Sequence, residues 1–260
     1  MGIINVTPDS FSDGGRYLST QQAITHGKAL IAEGADILDI GGESTRPGSQ
    51  QVSIDEELKR VIPVLEALVH SHIPISIDTS KPEVMKRAIA SGAFMINDVN
   101  ALRSPGALEA VAQNDHVRVC LMHMQGTPQN MQENPQYRNI VTEVKNFLQQ
   151  RIQAAKAAGI SQDRLVIDPG FGFGKTLQHN YTLLNQLHEL TTLGVPVLAG
   201  LSRKSMLGAI TGNAVDHRIH ESIAATLLAV VKGAKIVRVH DVKASEEALA
   251  IYHAMQNCDD

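Results

Sequence analysis

The sequence predicts an α/β chain folded as a single (β/α)8 TIM barrel, and three observations carry the prediction. Eight short apolar runs recur along the 260 residues, each followed by a polar, glycine-bearing loop and then by helical spacing. Most runs are continuously apolar, as suits parallel strands covered on both faces. Nearly every run also ends on a polar or charged residue. A barrel collects chemistry at the C-terminal ends of many strands, whereas a doubly wound open sheet, the competing arrangement, concentrates it at one switch point.

The runs fall at residues 2–6, 36–40, 74–78, 94–98, 117–123, 165–168, 195–200 and 235–239. After the first, Ala23, Ile24, Gly27, Leu30 and Ile31 share one face of a 3.6-residue period, and Gly34 stops the helix because glycine adopts the left-handed backbone at little steric cost. Ser53 with Glu56 and Ser80 with Glu83 match the capping box, so each pair is expected to open a helix. Pro63 interrupts the stripe of Leu58, Val61, Ile62, Leu65 and Leu68, and a kink is expected there because proline removes an amide donor. A longer helix is expected over 137–158, with Ile140, Val141, Val144, Phe147, Leu148 and Ile152 inward and Gly159 as its stop. Further helices are expected over 177–190, 216–232 and 245–255. No composition shift, proline- or serine-rich linker or low-complexity tract divides the chain, so 1–260 reads as one domain.

Charge and cysteine usage narrow the function classes. The 23 basic and 27 acidic residues are evenly mixed, which argues against a nucleic-acid partner and against an anionic membrane surface. No apolar run approaches the roughly 20 residues of a membrane span, and the first residues lack a secretory leader pattern. Cys120 and Cys258 stand far apart without metal-ligand spacing, so neither a disulfide framework nor a structural zinc site is readable, and a reducing, cytoplasmic setting fits.

The strand ends hold the candidate chemistry: Asn5, Asp39, Asp78, Asn97, His123, Asp168, Lys204 just past strand seven, and Arg238 with His240. Asp78 and Asp168 each close an apolar run, where an unpaired carboxylate is costly. They can pair with a cation, bind metal, cap a loop, or accept hydrogen bonds from an amino-substituted nitrogen heterocycle. With Asn97 they offer donors and acceptors to one flat polar ligand. Arg46, Arg238 and His240 suit an anionic group, since guanidinium forks match phosphate oxygens; a solvated loop charge for Arg46 and a structural salt bridge for Arg238 are the plainer readings. Lys204 reads equally as a Schiff-base nucleophile, a hydrogen-bond donor or the first-turn residue of a helix. The stretch Pro169-Gly-Phe-Gly-Phe-Gly-Lys175-Thr176 mimics a phosphate loop, but Pro169 takes the place of the first required glycine. The histidines form no metal-binding pair at helical spacing, and Met122-His123-Met124 suits pocket lining or core.

Several of these segments, in order along almost the whole chain, resemble the dihydropteroate synthase family of bacterial folate biosynthesis. They are Met1-Gly-Ile-Ile-Asn-Val-Thr-Pro-Asp-Ser-Phe-Ser-Asp-Gly-Gly15, Asp39-Ile-Gly-Gly-Glu-Ser-Thr-Arg-Pro-Gly48, Ser76-Ile-Asp-Thr-Ser-Lys-Pro82, Ile96-Asn-Asp98, Leu121-Met-His-Met124, Asp168-Pro-Gly-Phe-Gly-Phe-Gly-Lys175, Ser202-Arg-Lys-Ser205 and Arg238-Val-His240. The resemblance implies a (β/α)8 barrel that joins 6-hydroxymethyl-7,8-dihydropterin diphosphate to p-aminobenzoate with Mg²⁺, releasing 7,8-dihydropteroate and diphosphate. It implies that Asp78, Asn97, Asp168 and Lys204 hold the pterin, with Met122 and Val239 also in the substrate-binding set. Arg238 would stack on the pterin and face the diphosphate with His240, Asn5 and Thr45, Asn5 also serving as the metal ligand. The loops carrying Phe11 and Thr45-Arg46-Pro47 would complete an aminobenzoate pocket with Phe173, Lys204 and Ser205. Asp78, Asp168, Lys204 and Arg238 are thereby the expected catalytic set.

The same resemblance implies sulfonamide inhibition and a homodimer built on helix surfaces late in the chain. Family members carry a short segment ahead of the Gly-Ile-Ile-Asn strand, whereas this sequence opens on the strand itself, a departure that bears on the barrel's bottom more than on its chemistry. The alternatives are a pterin-dependent methyltransferase domain, a pterin-binding protein without turnover, and an aldolase using Lys204.

Overall fold

The computed structural model describes residues 1–7 and 16–258. Eight strands alternate with helices as the spacing predicts: β1 (Gly2–Asn5), α1 (Arg16–Ala32), β2 (Leu38–Gly41), α2 (Ile54–Leu68), β3 (Ile75–Asp78), α3 (Pro82–Ala90), β4 (Met95–Asp98), α4 (Ala107–Ala112) and β5 (Arg118–Met122). There follow α5 (Ile140–Ala157), β6 (Leu165–Asp168), α6 (Leu177–Asn185), α7 (His188–Thr191), β7 (Leu198–Ala199), α8 (Ser205–Thr211), α9 (Ile219–Val231), β8 (Ile236–Val237) and α10 (Val242–Gln256). Strands β1 to β6 pair in sequence order, all parallel, and β7 pairs with β8. Single bridges at Gly2↔Val239 and Ile167↔Val197 join the two sets at both edges. The ring of strands therefore closes, with no strand edge left open among the described residues.

Strand geometry places residues two apart on one face, which divides the strand residues into two cores. One parity, with Ile4, Leu38, Ile40, Ile77, Val119, Leu121, Ile167 and Val237, packs against the helices in the large cluster that includes Leu30, Val61, Leu65, Val144 and Leu148. The other faces the barrel interior, where Met95, Cys120, Val166 and Leu198 form an apolar floor with Ile37 and Ile236 against it. Two residues further along those strands the inward position changes character, to Asp39, Asn97, Asp168 and Arg238. The polar mouth is thus the next interior layer above an apolar plug.

Helix ends follow their caps with one correction. Ser53 accepts from the Glu56 amide at 3.2 Å, and Asn139 caps α5 through Thr142 N at 3.0 Å. Ser80 does not cap α3. The residue before a proline is held extended, so Lys81 (φ −100, ψ 118) is the last non-helical residue and Pro82 opens the helix. Helix α2 runs on through Pro63, whose missing donor lies on the exposed side. The helix expected over 177–190 breaks at Gln186 (φ −105, ψ 22). Leu183, Leu184, Leu187 and Leu190 are all buried, so the apolar period continues across the break and could not reveal it. Helices α4 and α8 are too short to show a period; α4 was not expected, and α8 matches only the reading of Lys204 as the opening of a helix.

Candidate active site

At the C-terminal ends of the strands, charge is concentrated around one arginine. Arg238, at the end of β8, sends Nε to Asp39 Oδ2 at 2.5 Å and Nη2 to Asp78 Oδ2 at 3.0 Å, reaching across the barrel to β2 and β3. Asn97 on β4 donates to the same Asp39 oxygen at 3.1 Å. Asp39 is fully buried and its other oxygen finds no partner among the described residues. Burial opposes the charge on Arg238, but Asp39 and Asp78 outweigh it and its pKa is raised. Asp78 moves the other way. Burial pushes its carboxyl up to about 7 against the pull of Arg238, with Asp39, Glu57 and Asp98 adding to the rise.

Opposite this group lies the β6–α6 loop. Asp168 accepts from Gly170 N at 2.7 Å, and burial raises its pKa despite the nearby Lys204. Lys204 stands at the start of α8, donates Nζ to the Phe171 carbonyl, and lies 4.9 Å from the centre of the Phe173 ring. Burial lowers its pKa to about 8, opposed by Asp168. Three glycines of the loop have positive φ, and at Gly170 (φ +67) a Cβ would lie 1.9 Å from the His123 carbonyl oxygen. The glycines thus let backbone pack on backbone, which is the turn-forming alternative to a phosphate cradle.

The β7 and β8 loops are tied together above Arg238. Ser202 Oγ and His240 Nδ1 are 3.0 Å apart, and Arg203 pairs with Asp241 through two bonds of 3.0 and 2.6 Å. Burial, then Arg238 and Arg203, lower the His240 pKa to about 4, so the ring is neutral near pH 7; the charge of Arg46 also reaches it. On the far side the β2–α2 loop is fastened to the β5–α5 loop by Gly48 N to the Pro128 carbonyl at 3.0 Å and by Gln129 Nε2 to the Ser49 carbonyl at 3.2 Å. Between these loops opens a cavity of about 100 Å³, lined in part by Thr45, Asp78, Thr79, Val99, Asn100 and Met124. Beside it Lys81 binds Glu43 and the buried Glu57.

Chemically the mouth offers carboxylates from two sides to ring N–H donors, an arginine and a lysine above them, and neutral donors toward an anion. A family model described as pterin binding enzyme matches residues 1–240. The dihydropteroate synthase of Neisseria meningitidis serogroup C is 53% identical over 259 residues, covering 98% of this chain and 92% of that protein. The chain belongs to the dihydropteroate synthase family. Among solved dihydropteroate synthases, the Xanthomonas albilineans enzyme with 4-aminobenzoic acid superposes with a TM-score of 0.94 at 55% identity, covering 100% of this chain and 93% of that one. The Yersinia pestis dihydropteroate synthase in a sulfonamide drug complex gives 0.94 at 49% identity, with 99% and 94% covered.

Of the residues expected from the dihydropteroate synthase resemblance, Asp78, Asn97 and Arg238 are joined through the contacts above, and Asp168, Lys204 and Phe173 form a second group. Met122 is buried in a cluster with Val99, Met124 and Met131, against which Phe173 packs. Thr45 lines the cavity, Arg46 and Pro47 are exposed in the β2–α2 loop, and Ser205 is exposed on the first turn of α8. Asn5, half-buried, ends β1. Val239 is packed in the outer core with its backbone bonded to Met1 and Ile3, while His240 reaches the mouth. Phe11 lies outside the described residues. Asp39 was not among the expected binding residues, although a lone acid inside the apolar run Ile37-Leu38-Asp39-Ile40 was the signal for it.

Proposed function

We propose that this chain condenses 6-hydroxymethyl-7,8-dihydropterin diphosphate with p-aminobenzoate, giving 7,8-dihydropteroate and diphosphate. The observation that carries the reading is the pair of buried acids, Asp78 and Asp168, opening on one mouth with Arg238 and Lys204 at motif positions of the family. The ring N–H and amino groups of the pterin donate to the two carboxylates, and Asn97 and Lys204 donate to its acceptors. The C–O bond breaks first, with its electron pair leaving on diphosphate. The resulting methylene cation is delocalised into the ring, where the fixed carboxylates stabilise the positive charge as it develops. The arylamine nitrogen then forms the C–N bond and loses its proton to solvent, so no strong base is needed.

Arg238, His240, Thr45 and Arg46 face the diphosphate in this reading, and Arg46, Pro47, Phe173, Lys204 and Ser205 border the aminobenzoate. Among the described residues no group of three or more His, Cys, Asp or Glu forms a metal cage. Mg²⁺ bound through substrate phosphates needs only one or two protein oxygens, and the Asn5 side chain at the end of β1 fits that part. Bound there, Mg²⁺ would neutralise charge on the leaving diphosphate.

The chain assembles as a homodimer through its last helices, where Ile210, Leu228, Val231, Ile251 and Met255 leave exposed apolar surface on α8, α9 and α10. A monomeric sedimentation coefficient at micromolar concentration would rule this out. A cytoplasmic setting is supported by the free thiols of Cys120 and Cys258. No helix among the described residues is long and apolar enough to cross a membrane.

The direct test is formation of 7,8-dihydropteroate by the full chain from both substrates with Mg²⁺. Sulfonamides are expected to inhibit competitively against p-aminobenzoate. Absence of turnover, or inhibition uncompetitive with aminobenzoate, defeats the reading.

Pterin binding should release protons. Free Asp78 is half protonated at about 7, and a ligand that donates to it selects the ionised form. The charged groups facing it are Arg238, Asp39, Glu57 and Asp98. Binding therefore tightens as pH rises toward and through that value and releases a fraction of a proton below it. Calorimetry at about pH 6.5 in buffers of different ionisation enthalpy should give different apparent enthalpies. Identical enthalpies would mean that Asp78 does not titrate on binding.

A further inference from the structure

Lys175 ends the Gly-Phe-Gly-Phe-Gly stretch that mimics a phosphate loop, and it is 3% exposed. Its Nζ lies 2.8 Å from the Gly170 carbonyl, 3.0 Å from the Phe173 carbonyl and 3.0 Å from His123 Nδ1, with the His123 carbonyl at 3.4 Å. An ammonium has three protons to donate, and three acceptors stand within 3.0 Å. Burial pulls the lysine pKa well down, with Asp168 opposing, and burial and Lys175 lower that of His123 to about 2. The imidazole is therefore neutral, and with Nδ1 as acceptor its proton sits on Nε2. A buried lysine is costly compared with an apolar side chain of similar length, so its place inside a loop calls for an explanation in function or positioning.

What the lysine gathers is the loop that meets Lys204. The chain turns at Gly170 (φ +67), Gly172 (φ +80) and Gly174 (φ +62), and each intervening phenylalanine serves the site. The Phe171 carbonyl receives Lys204 Nζ, and the Phe173 ring lies beside that same ammonium. Other ties hold the loop from outside, among them Gly172 N to Asn180 Oδ1 at 2.7 Å, Gln132 Nε2 to the Gly172 carbonyl at 2.6 Å, and the Tyr137 hydroxyl to the Gly174 carbonyl at 2.7 Å. Lys175 binds the carbonyls of both Gly170 and Phe173, adding to the Phe173 N to Gly170 carbonyl bond of 3.1 Å that also turns the loop on itself.

We propose that Lys175 is a positioning residue for the aminobenzoate half of the site, acting through the β6–α6 loop to fix Phe173 and the Phe171 carbonyl against Lys204. The inference rests on the condensation reading above. The Lys175 ammonium is taken up by loop carbonyls and His123, so in this inference it acts through the backbone that borders the aminobenzoate. Loss of its bonds should loosen the aminobenzoate wall and spare the pterin contacts of Asp78 and Asn97, which come from β3 and β4.

The test is steady-state kinetics of Lys175→Met in the full chain, with pterin diphosphate affinity measured by calorimetry. The expected result is a KM for p-aminobenzoate raised about tenfold, with pterin affinity within about threefold of the unaltered chain. Amide exchange over 170–174 should quicken while the strands keep their protection. An unchanged aminobenzoate KM in a folded variant overturns the inference, and so does an equal loss for both substrates. Tyr137→Phe, which removes one tie to the same loop without emptying a buried charge site, should raise that KM about threefold. If Lys175→Met fails to fold, an unchanged KM in Tyr137→Phe overturns the inference. Turnover by the unaltered chain in the same assay separates the two claims. Without it the condensation reading falls and takes this inference with it, whereas turnover with unaffected variants removes this inference alone.

Discussion

Replacing Arg238 by methionine is expected to abolish turnover and to lower the unfolding free energy by about 3 kcal/mol or more. The guanidinium joins acids from β2 and β3 to the end of β8, with Asp39 fully buried beneath it. Removing one partner of a buried pair leaves a carboxylate without compensation, which costs more than the pair itself contributes. Here two carboxylates are left. Arg238→Lys should recover little, because one ammonium cannot reproduce a fork that reaches two acids at 2.5 and 3.0 Å. Adding Asp39→Asn to Arg238→Met should restore part of the stability, since it removes the more deeply buried of the unpaired charges. Denaturant unfolding of the three variants reads these differences directly. A loss below about 1 kcal/mol for Arg238→Met would show that water replaces the arginine and that the network contributes little.

Gly170→Ala is the second large effect, and it acts on backbone rather than charge. An alanine at φ +67 is disfavoured by about 1–2 kcal/mol even in open space. At this position its Cβ would also stand 1.9 Å from the His123 carbonyl oxygen, so the β6–α6 loop must move off the end of β5. That displacement breaks the Gly170 N to Asp168 bond and disturbs the carbonyls around Lys175. The expected loss is about 4 kcal/mol or more, a large share of the roughly 5–15 kcal/mol that holds a native protein together. Gly159→Ala supplies the comparison. It has φ +94 at the end of α5, but its Cβ would meet nothing within 4 Å, so only the conformational cost of about 1 kcal/mol applies. Equal midpoints for the two variants in thermal unfolding would refute the close-approach argument.

The parts of the fold legible in the sequence are those governed by local pattern. Strand β6 was located at its exact ends by the run Leu165-Val-Ile-Asp168, and the other strands to within a few residues. Gly34 and Gly159 marked helix ends because positive φ is a local demand that few residues other than glycine meet. The α3 cap and the break at Gln186 were not legible, the first because proline overrides a capping pair and the second because the apolar period runs through it. At the site, acids and cations at strand ends could be listed, but the pairing among them could not. Asp39 looked like any strand-end acid until Arg238, 199 residues away, was found on it. Lys175 looked like the tail of an imperfect phosphate motif until its carbonyl partners appeared.

From sequence alone came the eight-fold repeat, the mostly continuous apolar strands and the polar or charged residue ending nearly every one of them, all properties of neighbours along the chain. Tertiary structure decided which of those polar residues meet. Closure of β8 onto β1 carries Arg238 across the mouth to Asp39 and Asp78, and packing of β6 beside β5 buries Lys175 against His123. Such partners are set by the ring's geometry and by the cost of burying a charge alone, and neither quantity is written in the spacing of residues along one strand.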